Sequence, residues 1–202
     1  MEQIKKTVRA GRIGPGVTDQ FYVDEDINIP EAKYDAARVV YSSGRIHAED
    51  IRPAEHYARV TGRLSYQILY ETEDGGGQLS SLAGRLPFEE MVYMEEEPKD
   101  QLFVRGATAE VSVTLINSRK MNLKASVDLT IGSEGAEEEQ ITADMEEEST
   151  VYKKFSEREI LELCTVQKDV YRIKEEIHLP AARENIGTLL LGESALRKLD
   201  TR

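Results

Sequence analysis

The stretch VSVTLINSRKMNLKASVDLTI, residues 111–131, decides the fold class of this chain. Apolar side chains occupy every second position on both sides of its centre, which is typical of strands with one buried face. They are Val111, Val113, Leu115, Met121, Leu123, Ala125, Val127, Leu129 and Ile131. Paired residues of an antiparallel hairpin share a face, and both apolar sets carry odd numbers. The turn is therefore predicted to centre near Ser118, with Leu115 opposite Met121 and Val111 opposite Ala125.

A second hairpin is predicted around the glycines of EDGGGQ, residues 73–78. Apolar and polar side chains alternate from Val60 to Tyr70, which again indicates a half-buried strand. A turn centred near Gly76 would place Tyr70 opposite Leu82. Long hairpins of this kind predict a mainly β fold, either an antiparallel sandwich or an open barrel, with two or three short helices.

Charge divides the 202 residues into segments. The formal net charge of −12 argues against a nucleic-acid partner, because phosphate contacts need a basic face. Eight carboxylates and no base stand in residues 134–148, so we interpret residues 133–150 as a solvated acidic loop. Residues 1–17, which include GRIGPG, are interpreted as a flexible lead-in to a β-domain over residues 18–132.

The sequence has no apolar run of membrane-spanning length, so no membrane span is predicted.

The sequence contains an internal repeat, whose two copies lie 150 residues apart. The copies are DINIPEAKYDAARVV, residues 26–40, and EIHLPAARENIGTLL, residues 176–190. Each begins as a strand, meets a proline that cannot donate to a ladder, and continues with apolar residues at the spacing of a helix face. We therefore expect a short helix after each proline, and the capping pattern of FSEREILELC predicts another over residues 157–164.

The second copy has two interpretations. It either begins a further repeat of a longer protein or folds back onto the first domain. We favour fold-back of residues 151–202, because Ile177 and Leu189 would otherwise expose apolar surface.

Enzymatic and metal chemistry is not indicated by the sequence. His47, His56 and His178 lack a further ligand at the spacing of a metal site, and contiguous glutamates do not form a calcium loop. Cys164 is the only cysteine, which excludes an internal disulfide, and it fits a buried thiol better than a nucleophile. We expect no catalytic, metal or cofactor site and do not interpret the chain as an enzyme.

Four motifs in a fixed order resemble one known family. They are IPEAKYDAARVV (residues 29–40), GRLSYQILYETEDGG (62–76), SLAGRLPFEEMVYM (81–94) and the hairpin of residues 111–131. Together they resemble the SPOCS domain of spore-forming Firmicutes, typified by the SipL-like spore-envelope morphogenetic proteins of clostridia. In that family a strand runs into a proline and a short Asp-containing helix, and a later hairpin tip carries an Asn-x-Arg-Lys type sequence. Pro30, Asp35 and Asn117 to Lys120 match these features, and the resemblance covers roughly residues 18–132.

The resemblance implies a non-enzymatic scaffold in spore-envelope (coat) assembly, located in the mother-cell cytoplasm at the forespore surface. The implied partners are other spore-envelope proteins, including the morphogenetic ATPase that coats the forespore, with self-association as a further option. Family members contact this ATPase through a LysM domain, and residues 1–202 contain no LysM-like segment, so that contact is not carried over.

The alternative function is that of a carbohydrate-binding β-domain that docks on spore cortex or cell-wall glycan. An exposed row of aromatic side chains would favour it. For protein contacts, the candidate residues lie in the first repeat copy, at the hairpin tip and in the second copy. They are Tyr34, Asp35, Tyr41, Asn117, Arg119, Ile177, Pro180 and Leu189.

Overall fold

The computed structural model describes residues 2–73, 76–95, 101–146, 172–184 and 186–194, together with residues 152, 154, 156, 157, 159, 160, 162 and 164. Seven strands form within this part of the chain. They are β1 (Glu2–Ile13), β2 (Val17–Asn28), β3 (Ala36–Ala54), β4 (Tyr57–Thr72), β5 (Leu79–Tyr93), β6 (Gln101–Asn117) and β7 (Lys120–Glu146). All pairings between them are antiparallel.

The strands form two sheets. In the large sheet, β7 pairs with β6 along one edge and with β2 and then β1 along the other. Glu134 shows the arrangement, because it lies between Gln101 of β6 and Ile13 of β1. The small sheet has the order β3-β4-β5. The mainly β, antiparallel prediction is confirmed at this level.

The hydrophobic core lies between the two sheets. Alternate residues of the central strands β4 and β7 are buried, and side chains of both sheets join in one cluster, as in a sandwich-like arrangement. The β7 contribution runs from Met121 to Ile131, the odd-numbered residues of the opening motif. Burial of one Leu, Ile or Val side chain contributes about 1.5–3 kcal/mol, so this alternation is a main source of stability.

The predicted register of the β6–β7 hairpin is confirmed. Leu115 pairs with Met121, and Val111 pairs with Ala125. A register shift between Leu115 and Asn117 then allows Asn117 to pair with Lys120 across a tight turn. This bulge restores the parity that a two-residue turn would otherwise violate.

The predicted register of the β4–β5 hairpin is wrong by two residues. Tyr70 pairs with Ser80, and Ile68 pairs with Leu82. Two registers that differ by two residues place the same side chains on the same face, so the alternation cannot distinguish them. The turn itself decides, with Gly76 and Gly77 at positive φ values of 56° and 92°.

The short helices are a wrong prediction within the described residues, none of which is helical. After Pro30 the chain makes a single turn, in which the Lys33 N–H donates to the Pro30 carbonyl at 2.9 Å, and β3 begins at Ala36. Register shifts at Ala36/Arg38 and Val39/Tyr41 break the period of two in β3. Because of these bulges, Ala36 and Val39 both pack on the core although they are three residues apart, a spacing that is also typical of a helix face. The helix predicted over residues 157–164 is likewise not seen at the five of these residues that the structure describes, 157, 159, 160, 162 and 164; the other three lie outside the described residues.

The flexible lead-in and the acidic loop are replaced by paired strands. Residues 2–13 form β1, and residues 134–146 form the second half of β7. The physical reason is charge complementarity between segments that are far apart in sequence. Arg9 pairs with Glu138, and the Arg12 guanidinium forms an ion pair with Glu137. Opposite charges across an antiparallel pair stabilise the pairing.

The described residues of the second repeat copy form neither a strand nor a helix and are largely exposed. Its turn repeats that of the first copy, since the Arg183 N–H donates to the Pro180 carbonyl at 2.9 Å. The Gln67 side chain donates to the Gly192 carbonyl at 3.0 Å, which brings this end of the segment to β4. The expected burial of its apolar residues is not seen, because Ile177 is 88% and Leu189 is 77% exposed. Among the described residues, none forms a helix of the length and apolar character needed to cross a membrane.

Candidate functional site

A cluster of hydrogen-bonded polar groups lies where the chain passes from the large sheet to the small one. Pro30 ends β2 because it has no N–H, and residues 29–35 then connect β2 to β3. This connection lies against the tip of the β6–β7 hairpin. The Ile29 N–H donates to the Arg119 carbonyl at 2.9 Å, and the Ala36 N–H donates to the Ser118 carbonyl at 2.8 Å.

The Arg119 guanidinium holds this connection from one side. Its Nη1 donates to the Lys33 carbonyl at 2.7 Å and to Asp35 Oδ1 at 2.8 Å. Its Nη2 donates to the Ile29 carbonyl at 3.1 Å and to the Pro30 carbonyl at 2.9 Å. A planar guanidinium presents several donors in a fixed geometry, which a lysine ammonium cannot reproduce. Four acceptors of one connection are therefore satisfied by a single side chain.

Asp35 links three parts of the chain. Its carboxylate accepts hydrogen bonds from Arg119 and, at 3.2 Å, from the Ser118 hydroxyl. Its backbone carbonyl accepts from the Glu73 N–H at 2.9 Å, at the end of β4. We call residues 29–35 together with residues 117–119 the crossover clamp. The clamp ties the β2–β3 connection to the tip of one hairpin and the base of another.

Asn117, two residues before Arg119, orients the backbone at Arg119. Asn117 Oδ1 accepts a hydrogen bond from the Arg119 N–H at 2.9 Å, the side-chain-to-backbone contact of an Asx turn. This contact fixes the backbone of the hairpin tip and so directs the guanidinium across it. The Asn-x-Arg part of the tip therefore has a structural role, with Asn117 as the positioning residue.

The candidate contact residues fall into three places. Tyr34, Asp35, Asn117 and Arg119 come together at the clamp. The Tyr34 carbonyl accepts from the Tyr70 hydroxyl at 3.2 Å, while the Tyr34 side chain is 60% exposed. Tyr41 lies on β3, where its hydroxyl donates to Glu193 at 3.1 Å. The remaining residues, Ile177, Pro180 and Leu189, lie in the exposed second copy.

A polar ladder on the outer face of the large sheet was missed by sequence reasoning. Asn122 donates to Asp24 at 2.7 Å and to Asp26 at 3.1 Å, and Lys120 forms an ion pair with Asp26 at 2.7 Å. The hydrogen bond from Asn122, followed by that from Lys124, lowers the pKa of Asp24. The hydrogen bond from Lys120, followed by that from Asn122, lowers the pKa of Asp26. The alternating polar residues of β7 were the available signal, but their partners on β2 were not evident.

Exposed aromatic side chains do not form a row in the described part of the chain. The largely exposed tyrosines are Tyr22, Tyr34, Tyr41, Tyr57, Tyr93 and Tyr152. Among these described rings only Tyr57 and Tyr93 are in contact, edge to face with centroids 5.5 Å apart. A glycan platform of stacked rings is therefore not assembled by these residues. Nor do three or more His, Cys, Asp or Glu side chains converge on a metal-binding geometry within the described ranges.

One protein family matches part of this chain. Residues 35–116 match the family described as SipL, SPOCS domain. The resemblance read from the sequence motifs is thus confirmed over this range. A search of curated proteins found no match, and a search of solved structures found none either. The SPOCS match begins at Asp35 of the clamp and ends at Ile116, one residue before the hairpin tip.

The SPOCS match spans β3 to β6, whereas the folded domain also needs β2 and β7. β7 supplies the central strand of the large sheet, and β2 supplies Ile27 to the shared core. The clamp joins the first matched residue, Asp35, to Arg119, which lies three residues beyond the match. One ion pair therefore joins the first residue of the matched range to the hairpin tip just beyond its last residue. The SPOCS family is sporulation-related and β-rich, which agrees with the two sheets described above.

Proposed function

We propose that this protein is a non-enzymatic structural module that acts through protein contacts in assembly of the spore envelope (coat). The single observation that carries the proposal is the SPOCS match over residues 35–116. The proposed partners are other spore-envelope proteins, including the morphogenetic ATPase that coats the forespore. The proposed location is the mother-cell cytoplasm at the forespore surface.

The geometry supports a scaffold whose contact surfaces are set by a rigid frame. The clamp immobilises the backbone around Tyr34, while the ring of this tyrosine stays exposed. An aromatic ring on a fixed backbone provides contact area at little cost in conformational entropy. We therefore propose the clamp end of the domain, with Tyr34 as its exposed ring, as one surface for protein contacts.

The experiment is a localisation and binding assay in sporulating cells and with purified proteins. The full chain, fluorescently tagged, should accumulate at the forespore surface and should be retained by the purified forespore-coating ATPase or by other envelope proteins. Tyr34→Ser should weaken this retention. Tyr22→Ser is the matched control, because Tyr22 is also an exposed ring but lies on β2, away from the clamp.

Each outcome is informative. Accumulation at the forespore with loss in Tyr34→Ser alone supports both the role and the surface. Equal loss in both tyrosine variants contradicts the clamp surface. A diffuse signal and no retention of the unchanged chain contradict the scaffold role. Retention by purified cortex glycan but by no envelope protein would replace the role with carbohydrate binding.

A further inference from the structure

The two-stranded arm of this protein has one edge that no described strand covers. We call β1 together with residues 134–146 of β7 the arm. Among the described residues, pairing of β6 with β7 reaches as far as Gln101 opposite Glu134. Beyond that point, in the part of the chain that the structure describes, residues 135–146 pair with β1 on one side and with no strand on the other. A strand edge of this kind presents backbone N–H and C=O groups for pairing.

The hydrogen-bond phase of the arm identifies which backbone groups face the open edge. The Arg9 N–H donates to the Glu162 side chain at 3.2 Å, so it points away from β7. Arg9 lies opposite Glu138, and opposite residues of an antiparallel pair either exchange both hydrogen bonds or neither. The N–H and C=O of Glu138 therefore also point outward, towards the open edge.

Two backbone hydrogen bonds outside the arm indicate the same alternation of inward-facing and outward-facing residues in β7. The Gly14 N–H donates to the Ser133 carbonyl at 2.8 Å, and the Ile29 N–H donates to the Arg119 carbonyl at 2.9 Å. Odd-numbered residues of β7 thus bond to β1 and β2, and even-numbered residues face the opposite edge. Ala136, Glu138 and Gln140 present their backbone groups at the open edge.

Charge selects the kind of strand that fits this edge. Residues 134–146 carry six carboxylates and no basic side chain (Glu134, Glu137, Glu138, Glu139, Asp144 and Glu146). On the paired side the same residues face β1, which carries Lys5, Lys6, Arg9 and Arg12. Like charges directly opposite each other destabilise a strand pair, whereas opposite charges stabilise it. The edge therefore favours a basic strand, of the kind that it already accepts on its other side.

A second copy of the chain fits the edge poorly. Two arms paired through their β7 edges would bring twelve carboxylates together, six from each copy. The β1 strand of a second copy could pair antiparallel with the open edge only if its β2 strand followed in the same direction. That β2 strand would then run along the part of β7 that β6 already covers, so β6 blocks this pairing. An extended, basic segment of another protein fits the edge without either conflict.

We propose that the open edge of residues 135–146 is a β-augmentation site for an extended, basic segment of a partner protein. Backbone hydrogen bonds to Ala136, Glu138 and Gln140 provide the affinity, and the carboxylates of the arm select lysine and arginine in the added strand. The proposal stands on the geometry of the arm and holds whether or not the partner belongs to the spore envelope.

The test uses the full chain and a synthetic peptide with the sequence of residues 2–13, EQIKKTVRAGRI, as the probe. This sequence already pairs with β7 on its other edge. We expect saturable binding by fluorescence anisotropy, weakened at least about threefold when salt is raised from about 0.05 to 0.5 M, because charge pairs are screened. A peptide with glutamine at its four basic positions should bind about tenfold more weakly or not at all.

The matched variants are Gln140→Pro and Gln140→Ala. Proline removes an N–H that faces the open edge and takes no hydrogen bond from the β1–β7 ladder, where an edge proline is tolerated. Loss of this bond should weaken binding about fivefold to tenfold, while Gln140→Ala should stay within about twofold of the unchanged chain. Hydrogen exchange of the β1 and β7 amides reports whether the arm persists in each variant.

A second measurement leaves the protein unchanged. The same peptide, N-methylated at alternate backbone positions, retains its charges but cannot complete the ladder, so its binding should fall in one of the two methylation phases. Equal binding of both methylated peptides and the parent would overturn the proposal in favour of simple charge attraction. No saturable binding of the parent peptide also overturns it. So does a chain that dimerises alone and becomes monomeric in Gln140→Pro, because the occupant would then be a second copy.

Discussion

Arg119 and Asp35 lie 84 residues apart in the sequence and meet in an ion pair with an N–O distance of 2.8 Å. The same guanidinium also satisfies three backbone carbonyls of the β2–β3 connection. Both side chains are partly exposed, at 35% and 39%, so the ion pair alone contributes little. The larger contribution comes from the carbonyls, which would need new donors if the guanidinium were removed.

Arg119→Ala should lower the free energy of unfolding by about 1–3 kcal/mol, because several acceptors at the connection lose their donor. Arg119→Lys should recover less than half of this loss, since an ammonium keeps the charge but not the planar set of donors. Urea unfolding measures both. Arg38→Ala is the matched control: its ion pair with Glu71 leaves Arg38 71% exposed, and the expected cost is below about 1 kcal/mol. Equal costs for the two alanine variants would speak against the clamp.

Asp35→Ala and Arg119→Ala should be non-additive. A double-mutant cycle isolates their interaction, and residues in one hydrogen-bonded network show coupling energies of about 0.5–3 kcal/mol. We expect a value in this range for the pair. The cycle between Asp35 and Arg38 serves as the control and should give about zero, since no contact joins their side chains among the described hydrogen bonds and ion pairs. Coupling near zero for Asp35 and Arg119 would mean that the clamp acts only through Arg119 and the backbone.

The two repeat copies should respond differently to the same truncation. Ile27 is 8% exposed in the core, whereas Ile177, its counterpart 150 residues later, is 88% exposed. Ile27→Ala should therefore cost about 2–4 kcal/mol, and Ile177→Ala should change the free energy of unfolding by less than about 0.5 kcal/mol. Thermal or urea unfolding of the full chain compares them directly. A large cost at Ile177 would show that the second copy is buried against the domain in solution.

Close packing should make Gly62 intolerant of a side chain. A Cβ atom at this position would lie 2.7 Å from the Phe88 ring and would also meet the backbone carbonyl of His47. Gly62→Ala should destabilise the protein by about 1–3 kcal/mol, because ring or strand must move. Gly106 is the control, since a Cβ there meets no atom within 4 Å. Similar unfolding midpoints for Gly62→Ala and Gly106→Ala would contradict close packing between Gly62 and the Phe88 ring.

Acid should weaken the polar ladder of the large sheet. Hydrogen bonds from Asn122 and the neighbouring lysines lower the pKa of Asp24 and Asp26 in the folded protein. A lowered carboxyl pKa means that the contribution to stability is complete above the ordinary pKa of the group and is lost as the pH falls through the folded value. Asn122→Ala should therefore reduce the difference in stability between pH 7 and pH 3, as measured by urea unfolding. An unchanged pH profile would show that the ladder does not contribute.

Much of the domain's local geometry was available from the sequence. A strict period of two in residues 111–131 determines which side chains face the core and, through parity, where the hairpin turns. Parity could not distinguish the observed register of the β4–β5 hairpin from the predicted one, because the two registers differ by two residues. The order of the short motifs likewise sufficed to indicate the SPOCS resemblance.

Other features depended on partners far away in the chain. An acidic run such as residues 134–146 is typical of a solvated loop until a basic strand, here β1, lies beside it. The bulges of β3 are a second example. They break the period of two that marks a strand, and they are defined by the pairing with β4, which the local sequence does not show.

The sequence by itself determined the alternation that buries one face of each central strand, because side-chain direction in a strand follows local geometry. Only the tertiary structure decided what Arg119 does. Its acceptors come from residues 29–35, and nothing near it in sequence shows where those carbonyls will lie. The open edge of the arm has the same origin, since its exposure depends on where the neighbouring described strands lie.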